Sequence, residues 1–179
     1  MKRFLKLIYQ FFLTVYIFES YPKFKKVHKN GMIFFFVKSS KEIKVNKTIQ
    51  KYFKKNSSKL NRFKKKSKFI GLKRKSEIIC SGWIYFGNEW KIEEINKKIR
   101  LNKQYLLYDF ITEKEFRNMG YYKLLLRIIQ NKFQKRRLVI YSLSNNTKSI
   151  RAIKKAGFRL KQKLKKYGSK NYKCFDYVK

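Results

Sequence analysis

The sequence is poor in cysteine, histidine and proline, which argues against a disulfide framework, a metal site and a linker between domains. Its 179 residues contain two cysteines, one histidine and one proline. Cys80 and Cys174 lie far apart, without Cys-x-x-Cys spacing, so at most one disulfide could form. Together with His28 they provide no metal-binding pattern, so we expect reduced thiols, a cytoplasmic protein and no metal site. Because Pro22 is the only proline and no repeat is visible, we expect one domain over residues 1–179.

Acidic residues are also scarce, at 10 against 48 lysines and arginines, which gives a formal net charge of +38. A genome rich in A and T would raise lysine, but it would raise glutamate as well. We therefore interpret the charge as a real field that attracts polyanions such as nucleic acid, anionic lipid or a phosphate-rich cofactor. Hydrophobic residues at 44% and aromatic residues at 18% exclude disorder throughout the chain.

Long apolar runs are missing too. The apolar segment 7–18 follows basic residues, as in a signal peptide, but Gln10 and Thr14 interrupt it and no small-residue cleavage site follows. It is also too short to span a bilayer. We predict a buried or interfacial helix over residues 4–18 and no transmembrane segment.

The rest of the chain alternates between β-prone and helical patterns. We predict a strand at 31–39, a basic amphipathic helix at 41–55 that buries Ile43, Val45, Ile49 and Phe53, and a mobile loop or short helix at 56–68. A β-meander at 69–112 follows, then a helix at 120–133, a strand at 137–143, a helix at 147–156 and a β-prone tail at 172–178. Antiparallel strands followed by helix, strand, helix and strand indicate an α+β domain around a mostly antiparallel sheet.

The first motif is the stretch YDFITEKEFRNMGYYKLLLRIIQ, residues 108–130. A strand ending near Thr112 leads through a charged loop to Gly120 and a helix. A helix amino terminus has unpaired N–H groups and a partial positive charge, and a glycine lets an anion approach them. Pyrophosphate is the natural ligand. The alternative is an ordinary strand-to-helix turn in which Gly120 only relieves crowding.

The second motif is SNNTKSIRAIKKAGFRL, residues 144–160. Asn146 is a natural N-cap, and Ile150 and Ile153 face the predicted core. Gly157 stands where a left-handed residue ends a helix, and Phe158 returns the chain to the sheet. Alone, this motif indicates only a well-delimited helix.

Together the two motifs resemble the GCN5-related N-acetyltransferase superfamily, whose cofactor turn reads Arg/Gln-x-x-Gly-x-Gly/Ala. Here the turn reads Arg117-Asn118-Met119-Gly120-Tyr121-Tyr122. Asn146 and Gly157-Phe158 follow at the separation that the family shows. The resemblance covers 78–160 well and 1–75 loosely, so we expect a divergent part at 1–75, a cofactor-binding core at 76–160 and a tail at 161–179. It is closest to the branch encoded beside sugar and surface-polysaccharide genes.

The resemblance implies a mixed, mostly antiparallel sheet flanked by helices, with strands that splay at the cofactor site. It implies transfer of an acetyl group from acetyl-CoA to an amine, and an amino sugar or polysaccharide precursor is the candidate acceptor. The pyrophosphate would bind the N–H groups of 118–122, and the pantetheine arm would run between 104–112 and 137–143. The cofactor-binding residues so implied are Ile111, Arg117, Asn118, Met119, Gly120, Tyr121, Tyr122, Asn146 and Ser149.

The sequence departs from the family at two positions. Tyr122 replaces a Gly or Ala of the turn, which predicts a more crowded helix start. Ile153 stands where many members carry a tyrosine that protonates the leaving thiolate. Tyr108 and Tyr141 are the alternative acids, by location only.

The candidates for a general base come from the few carboxylates. Asp109 lies in an apolar strand, where a carboxylate is unusual, so it is the first candidate. The alternative is that Asp109 caps a turn or pairs with a lysine. Glu93 and Glu94 are weaker candidates, and some members of the superfamily use water instead.

A second hypothesis makes the charge itself the function, in a nucleic-acid-binding or ribosome-associated module on an inactive scaffold. Aromatic residues interleaved with lysines in KYFKK, NRFKKK and KLKKYGSKNYK could stack on bases. Alternatively these rings face inward and the lysines are solvated. We expect the enzyme, acting as a monomer or homodimer, with nucleic acid bound only non-specifically.

Overall fold

Seven strands form one sheet in the computed structural model, which describes residues 13–20 and 31–166. The sheet strands are β1 (Thr14–Ser20), β2 (Ile33–Val37), β3 (Ser67–Arg74), β4 (Glu77–Tyr85), β7 (Tyr105–Thr112), β8 (Leu138–Leu143) and β9 (Arg159–Lys165), and β5 (Glu89–Ile92) and β6 (Lys97–Arg100) form a separate hairpin. The α-helices are α1 (Lys47–Lys55), α2 (Asn61–Lys64), α3 (Tyr121–Lys132) and α4 (Thr147–Lys155), and short 3-10 turns lie at Ser40–Val45, Ser57–Leu60, Glu93–Ile95 and Lys114–Phe116.

The strand order is β2-β3-β4-β7-β8-β1-β9, and every neighbouring pair is antiparallel except β7 and β8. Those two pair in parallel only from Tyr105↔Leu138 to Leu107↔Ile140. They continue without pairing to Thr112 and Leu143, so the sheet splays between them. The predicted fold class, a mostly antiparallel α+β sheet flanked by helices with splayed strands, is confirmed.

Both faces of the sheet are covered. Helices α3 and α4 pack their apolar residues, among them Leu125 and Ile153, against Ile70 and Ile79 on one face. On the other face α1 buries its apolar stripe, including Phe53, in an aromatic cluster. The β5–β6 hairpin covers the neighbouring part of that face. The free thiol of Cys80 lies in the first of these cores.

The predicted helix at 4–18 is wrong where the structure describes it, because Thr14–Ser20 is strand β1. This strand lies between β8 and β9, and Val15, Ile17 and Phe18 are fully buried. A strand covered on both faces is apolar without alternation, and such a run cannot be told from a buried helix by periodicity. Residues 1–12, His28, Cys174 and the predicted tail at 172–178 lie outside the described residues.

The predicted meander is also corrected at one point. Residues 90–101 do not form a sheet strand; they belong to the β5–β6 hairpin, and β4 pairs directly with β7. The hairpin buries Ile92, Ile95 and Ile99 against the face of β1, β7 and β8. The apolar residues of this segment therefore pack on a face of the sheet, and its backbone does not hydrogen-bond to a described strand of the sheet.

The predicted helix at 41–55 is divided by Asn46. A 3-10 turn precedes Asn46. The Asn46 Oδ1 accepts hydrogen bonds from the N–H groups of Thr48 and Ile49 at 3.1 and 3.3 Å, and this cap starts α1. Val45, expected on the buried face, is 87% exposed because it precedes this new helix start. The segment 56–68 contains short helical turns, as one of its two interpretations predicted.

Candidate active site

A cleft of about 520 Å³ opens where β7 and β8 part. The second half of β8 forms one wall, and the middle of β7 forms the other. The β5–β6 hairpin, with its 3-10 turn, closes one side, and α2 with the residues that follow it closes another. The predicted site residues that line the cleft are Tyr108, Asp109, Tyr122, Tyr141, Asn146, Ser149, Glu93 and Glu94.

A β-bulge shapes the β7 wall at Asp109. Ser81 pairs with Ile111 and Trp83 with Tyr108, so two residues of β7 face the single residue Gly82 of β4. Asp109 has φ of +50°, a conformation that Asp and Asn tolerate better than other side chains. A Cβ on Gly82 would lie 2.5 Å from the Phe110 ring, so only glycine admits this arrangement. A bulge interrupts the ladder and leaves backbone groups unpaired beside the cleft.

The Asp109 carboxylate is paired with two cations. Arg62 Nη1 donates a hydrogen bond to Asp109 Oδ2, and Lys59 Nζ lies 3.5 Å from the same oxygen. The Arg62 guanidinium also lies over the rings of Trp83 and Tyr108, at 5.3 and 5.4 Å from their centroids. The expected alternative, a lysine partner for Asp109, is therefore present, and it leaves the proposed role as base untested.

Tyr108 and Tyr141 are both protonated at neutral pH. The Tyr108 hydroxyl donates a hydrogen bond to Ser67 Oγ at 2.9 Å, and burial raises its pKa. Burial and, to a smaller extent, the charge of Glu94 raise the pKa of Tyr141 to about 12. Of the two, Tyr108 already uses its proton in a hydrogen bond inside the protein. Tyr141 therefore remains the better placed donor toward the cleft.

The two weaker carboxylate candidates lie on the rim. Glu93 and Glu94 occupy the 3-10 turn of the hairpin and are exposed. Glu93 pairs with Lys91 at 2.9 Å. The structure thus brings three of the chain's ten carboxylates, these two and Asp109, to one cleft.

The turn before α3 has the features of an anion cradle. Gly120 is its N-cap with φ of +80°, no side chain caps the helix, and a Cβ at Gly120 would meet no atom within 4 Å. Asn118 is also left-handed, with φ of +65°, and Arg117 Nε donates to the Thr112 carbonyl at 3.1 Å. Met119 is 61% exposed. The first N–H groups of α3 consequently have neither an intrahelical acceptor nor a side-chain cap, and the space beside Gly120 is open.

Tyr122 does not crowd this cradle. Its hydroxyl and that of Ser149 are hydrogen-bonded, and burial raises the Tyr122 pKa. Its ring packs beside Phe110 at 5.5 Å, so the side chain points away from Gly120. Asn146 Oδ1 accepts the Ser149 N–H at 3.1 Å, as predicted for an N-cap. Tyr122, Asn146 and Ser149 thus connect the starts of α3 and α4 across the cleft.

Sequence reasoning missed Arg62 and Trp90. Arg62 comes from a segment almost entirely of Lys, Asn, Ser and Arg, and nothing in that composition distinguishes it. Trp90 lies against Tyr108, with ring centroids 4.4 Å apart, because the hairpin folds back over the sheet. Neither contact has a local signal, since both depend on where distant segments pack.

In the two basic runs that the structure describes in full, KYFKK and NRFKKK, the aromatic residues face inward, and the rings of KLKKYGSKNYK lie outside the described residues. In KYFKK, Phe53 is buried and Tyr52 stacks on Phe69, with centroids 4.9 Å apart. In NRFKKK, Phe63 packs against Trp83 at 5.0 Å. These rings are therefore engaged in packing inside the protein, whereas the lysines of both runs are exposed.

No family model and no curated protein matches the sequence, so the comparison rests on solved structures. A GNAT-family protein from Novosphingobium aromaticivorans superposes with a TM-score of 0.55 at 11% identity, over 84% of this chain and 61% of that one. An acetyltransferase of the GNAT family from Colwellia psychrerythraea gives 0.51 at 13% identity, over 88% and 58%. A GCN5-related N-acetyltransferase from Sphaerobacter thermophilus gives 0.50 at 11% identity, over 91% and 54%.

The chain has the fold of the GCN5-related N-acetyltransferases. It spans only 54–61% of the length of these three structures. Within 13–20 and 31–166, no helix combines the length and apolar character needed to cross a bilayer. The same ranges contain no cluster of three His, Cys, Asp or Glu side chains suited to a metal ion.

Proposed function

We propose that this protein transfers an acetyl group from acetyl-CoA to an acceptor amine. The observation that carries the proposal is the splay of β7 and β8 beside an uncapped helix amino terminus at Gly120. A splayed parallel pair offers unpaired backbone groups to an extended ligand, and the helix terminus offers N–H groups to its phosphates. The fold supplies both elements side by side.

The residues present suit acetyl-CoA. The pyrophosphate would be held by the N–H groups of residues 118–122, where the open space at Gly120 admits it. The pantetheine arm would lie between β7 and β8, near Ile111, Asn146 and Ser149. The thioester supplies an activated acetyl group, and the protein must orient the amine, stabilise negative charge on the thioester oxygen and accept a proton.

The bulge and two side chains are assigned to that chemistry. The bulge interrupts the β4–β7 ladder, and we assign its backbone N–H groups to stabilisation of the oxyanion. Asp109 is the proposed base. Proton transfer from a phenol with the pKa of Tyr141 to a thiolate of ordinary pKa, about 8.5, is uphill by roughly 5 kcal/mol. Tyr141 would therefore act as a hydrogen-bond donor to the leaving sulfur rather than as a full acid.

The acceptor side of the cleft comes partly from the divergent segment 1–75, through Arg62, Lys65 and Ser67. Trp90 and the exposed carboxylate Glu94 border the same space. This mixture of charge and aromatic surface suits a small polar amine, and we propose an amino sugar or polysaccharide precursor. A panel of amines tests it: a preference for lysine peptides over amino sugars would reject that acceptor class.

Acetyl-CoA is expected to raise the melting temperature, because a ligand that binds only the native state stabilises it by about 2.7 kcal/mol at a hundred times its Kd. Thermal denaturation at low and physiological salt measures this. Adenosine diphosphate is the control, since a strongly cationic protein attracts any nucleotide at low salt. Equal shifts by both ligands that vanish together in salt would contradict the proposal.

Asp109→Asn is expected to lower kcat by about 100-fold, the lower range of general base catalysis, and to leave acetyl-CoA affinity unchanged. Asparagine tolerates the left-handed backbone of this position, so the bulge is retained. The loss of kcat should become smaller as pH rises, because the acceptor amine then loses its proton to water without a protein base. Glu93→Gln, which removes an exposed carboxylate from the same cleft, is the control.

Steady-state kinetics across pH, together with thermal melts, separates the two roles of Asp109. A variant with normal kcat and reduced stability would show that Asp109 only anchors α2, through Arg62, and the preceding 3-10 turn, through Lys59, to β7.

A further inference from the structure

A second concavity, of about 720 Å³, lies at the opposite end of β7 and β8. Its walls come from the loops before β5, between β6 and β7, and between α3 and β8. It shares no lining residue with the cleft. Strand β7 runs from Tyr105 beside this concavity to Asp109 in the cleft, a separation of roughly 13 Å at the usual rise per residue.

The concavity is strongly cationic. Nine described residues line it, and five of them are basic, namely Arg100, Lys103, Lys135, Arg136 and Arg137; we call this set the basic pocket. The one carboxylate of the lining, Glu89, lies 3.9 Å from Arg100 Nε. Glu19, outside the lining, lies 3.9 Å from Arg137 Nη1. Positive charge still exceeds negative charge in the lining, and an anion between these cations would relieve their repulsion.

Its arginines distinguish the basic pocket from the rest of the surface. Lysine is abundant throughout the chain, so lysines alone would carry no argument. The chain has only ten arginines, and three of them, Arg100, Arg136 and Arg137, line this pocket. The guanidinium fork binds phosphate oxygens in pairs, which the ammonium of lysine cannot do.

The loops that carry these cations are held in place by backbone hydrogen bonds. The Leu101 N–H donates to the Asn88 carbonyl at 2.6 Å, and the Tyr105 N–H donates to the Arg137 carbonyl at 3.0 Å. Arg136 N–H donates to the Phe133 carbonyl at 2.9 Å, and the Phe133 ring packs on that of Tyr105 at 5.7 Å. A ligand would thus order side chains but not backbone, which lowers the entropy cost of binding.

We infer that the basic pocket binds a small anion that carries several phosphates. Within residues 13–20 and 31–166, no aromatic side chain lines it, although aromatic residues make up 18% of the chain. Sites for single-stranded nucleic acid combine cations with rings on which bases stack. A pocket of cations and amides alone instead fits a ligand recognised through its phosphate oxygens. The site does not depend on acetyl transfer.

Inorganic tripolyphosphate, titrated calorimetrically at about 150 mM salt so that surface charges are screened, is the probe. We expect one ion to bind per chain, and Arg100→Gln with Arg136→Gln to weaken binding at least tenfold by removing two guanidinium forks. Arg137 is left intact because it also lies 3.9 Å from buried Glu19. Lys51→Gln with Lys54→Gln removes two charges from the exposed face of α1 and should change affinity less than about twofold.

Three results would overturn the inference. Equal losses in both double variants would mean that only the overall field attracts the ion. Displacement by CoA, with full affinity retained after the arginine substitutions, would place the ion in the cleft. A short RNA that binds more tightly than tripolyphosphate and loses affinity with Arg100 and Arg136 would make this surface a nucleic-acid interface. Thermal melts of every variant verify that each is folded.

Discussion

Gly120→Glu is expected to weaken acetyl-CoA binding by about 100-fold, or roughly 2.7 kcal/mol. Electrostatic repulsion between a carboxylate and a phosphate about 4 Å apart near a protein surface weakens binding by up to about 4 kcal/mol. A mobile glutamate side chain avoids part of that repulsion. The backbone leaves room for the new side chain, since a Cβ there meets no atom within 4 Å. Calorimetric titration of the folded variant measures the loss.

Gly31→Glu is the matched control for that substitution. Gly31 has φ of +72°, close to the +80° of Gly120, and equally open space around it. Both variants should therefore lose similar stability through backbone strain, of the order of 1 kcal/mol. Only Gly120→Glu should lose the ligand. Normal acetyl-CoA affinity in that variant would remove Gly120 and the adjoining N–H groups from the proposed site.

Trp83→Ala is expected to destabilise the fold by about 3–5 kcal/mol, the usual cost of truncating a large buried aromatic residue. Trp83 is fully buried and packs on Phe53, Phe63 and Phe69, with centroid distances of 6.1, 5.0 and 5.1 Å. The substitution would leave a cavity between β4 and helices α1 and α2. Denaturant unfolding measures this loss, and we expect the melting temperature to fall by roughly 6–20 °C.

Trp83→Phe tests whether the ring or the indole N–H matters. The Trp83 Nε1 is buried without a hydrogen-bond partner, so a phenyl ring removes an unsatisfied donor while keeping most of the packing. We expect a loss below about 1.5 kcal/mol. If the alanine variant lost less than 1 kcal/mol, the aromatic cluster would not be what holds α1 and α2, and hence Arg62, over the cleft.

Local signals in the sequence predicted the elements that begin or end at a special residue. Helix α4 starts after Asn146, whose side chain accepts the Ser149 N–H, and the start of α3 follows the left-handed Gly120. Strand β2 lies within the predicted 31–39. A cap or a positive φ depends on a few consecutive residues, so these features can be recognised without knowing what packs on them.

The residues of the candidate site also fall into two groups: those that local motifs predicted and those that only the tertiary structure revealed. The motif residues from 117 to 122, Asn146 and the candidate Asp109 came from the chain's own pattern and from the resemblance it carries. The partners that define their environment did not. Arg62 and Asp109 are 47 residues apart, and Ser67 and Tyr108 are 41 apart. No short stretch contains both members of either pair.

The sequence determined the α+β class, the helix boundaries around the two motifs and the glycine at the proposed anion cradle. Only the tertiary structure decided that Thr14–Ser20 is a strand between β8 and β9. It also decided that residues 89–100 fold back as a hairpin over the cleft and that Tyr122 turns toward Ser149. The physical reason is that capping and backbone conformation depend on a few neighbouring residues. An apolar or aromatic segment instead becomes a strand, a helix or the lining of a cleft according to the distant surface that buries it.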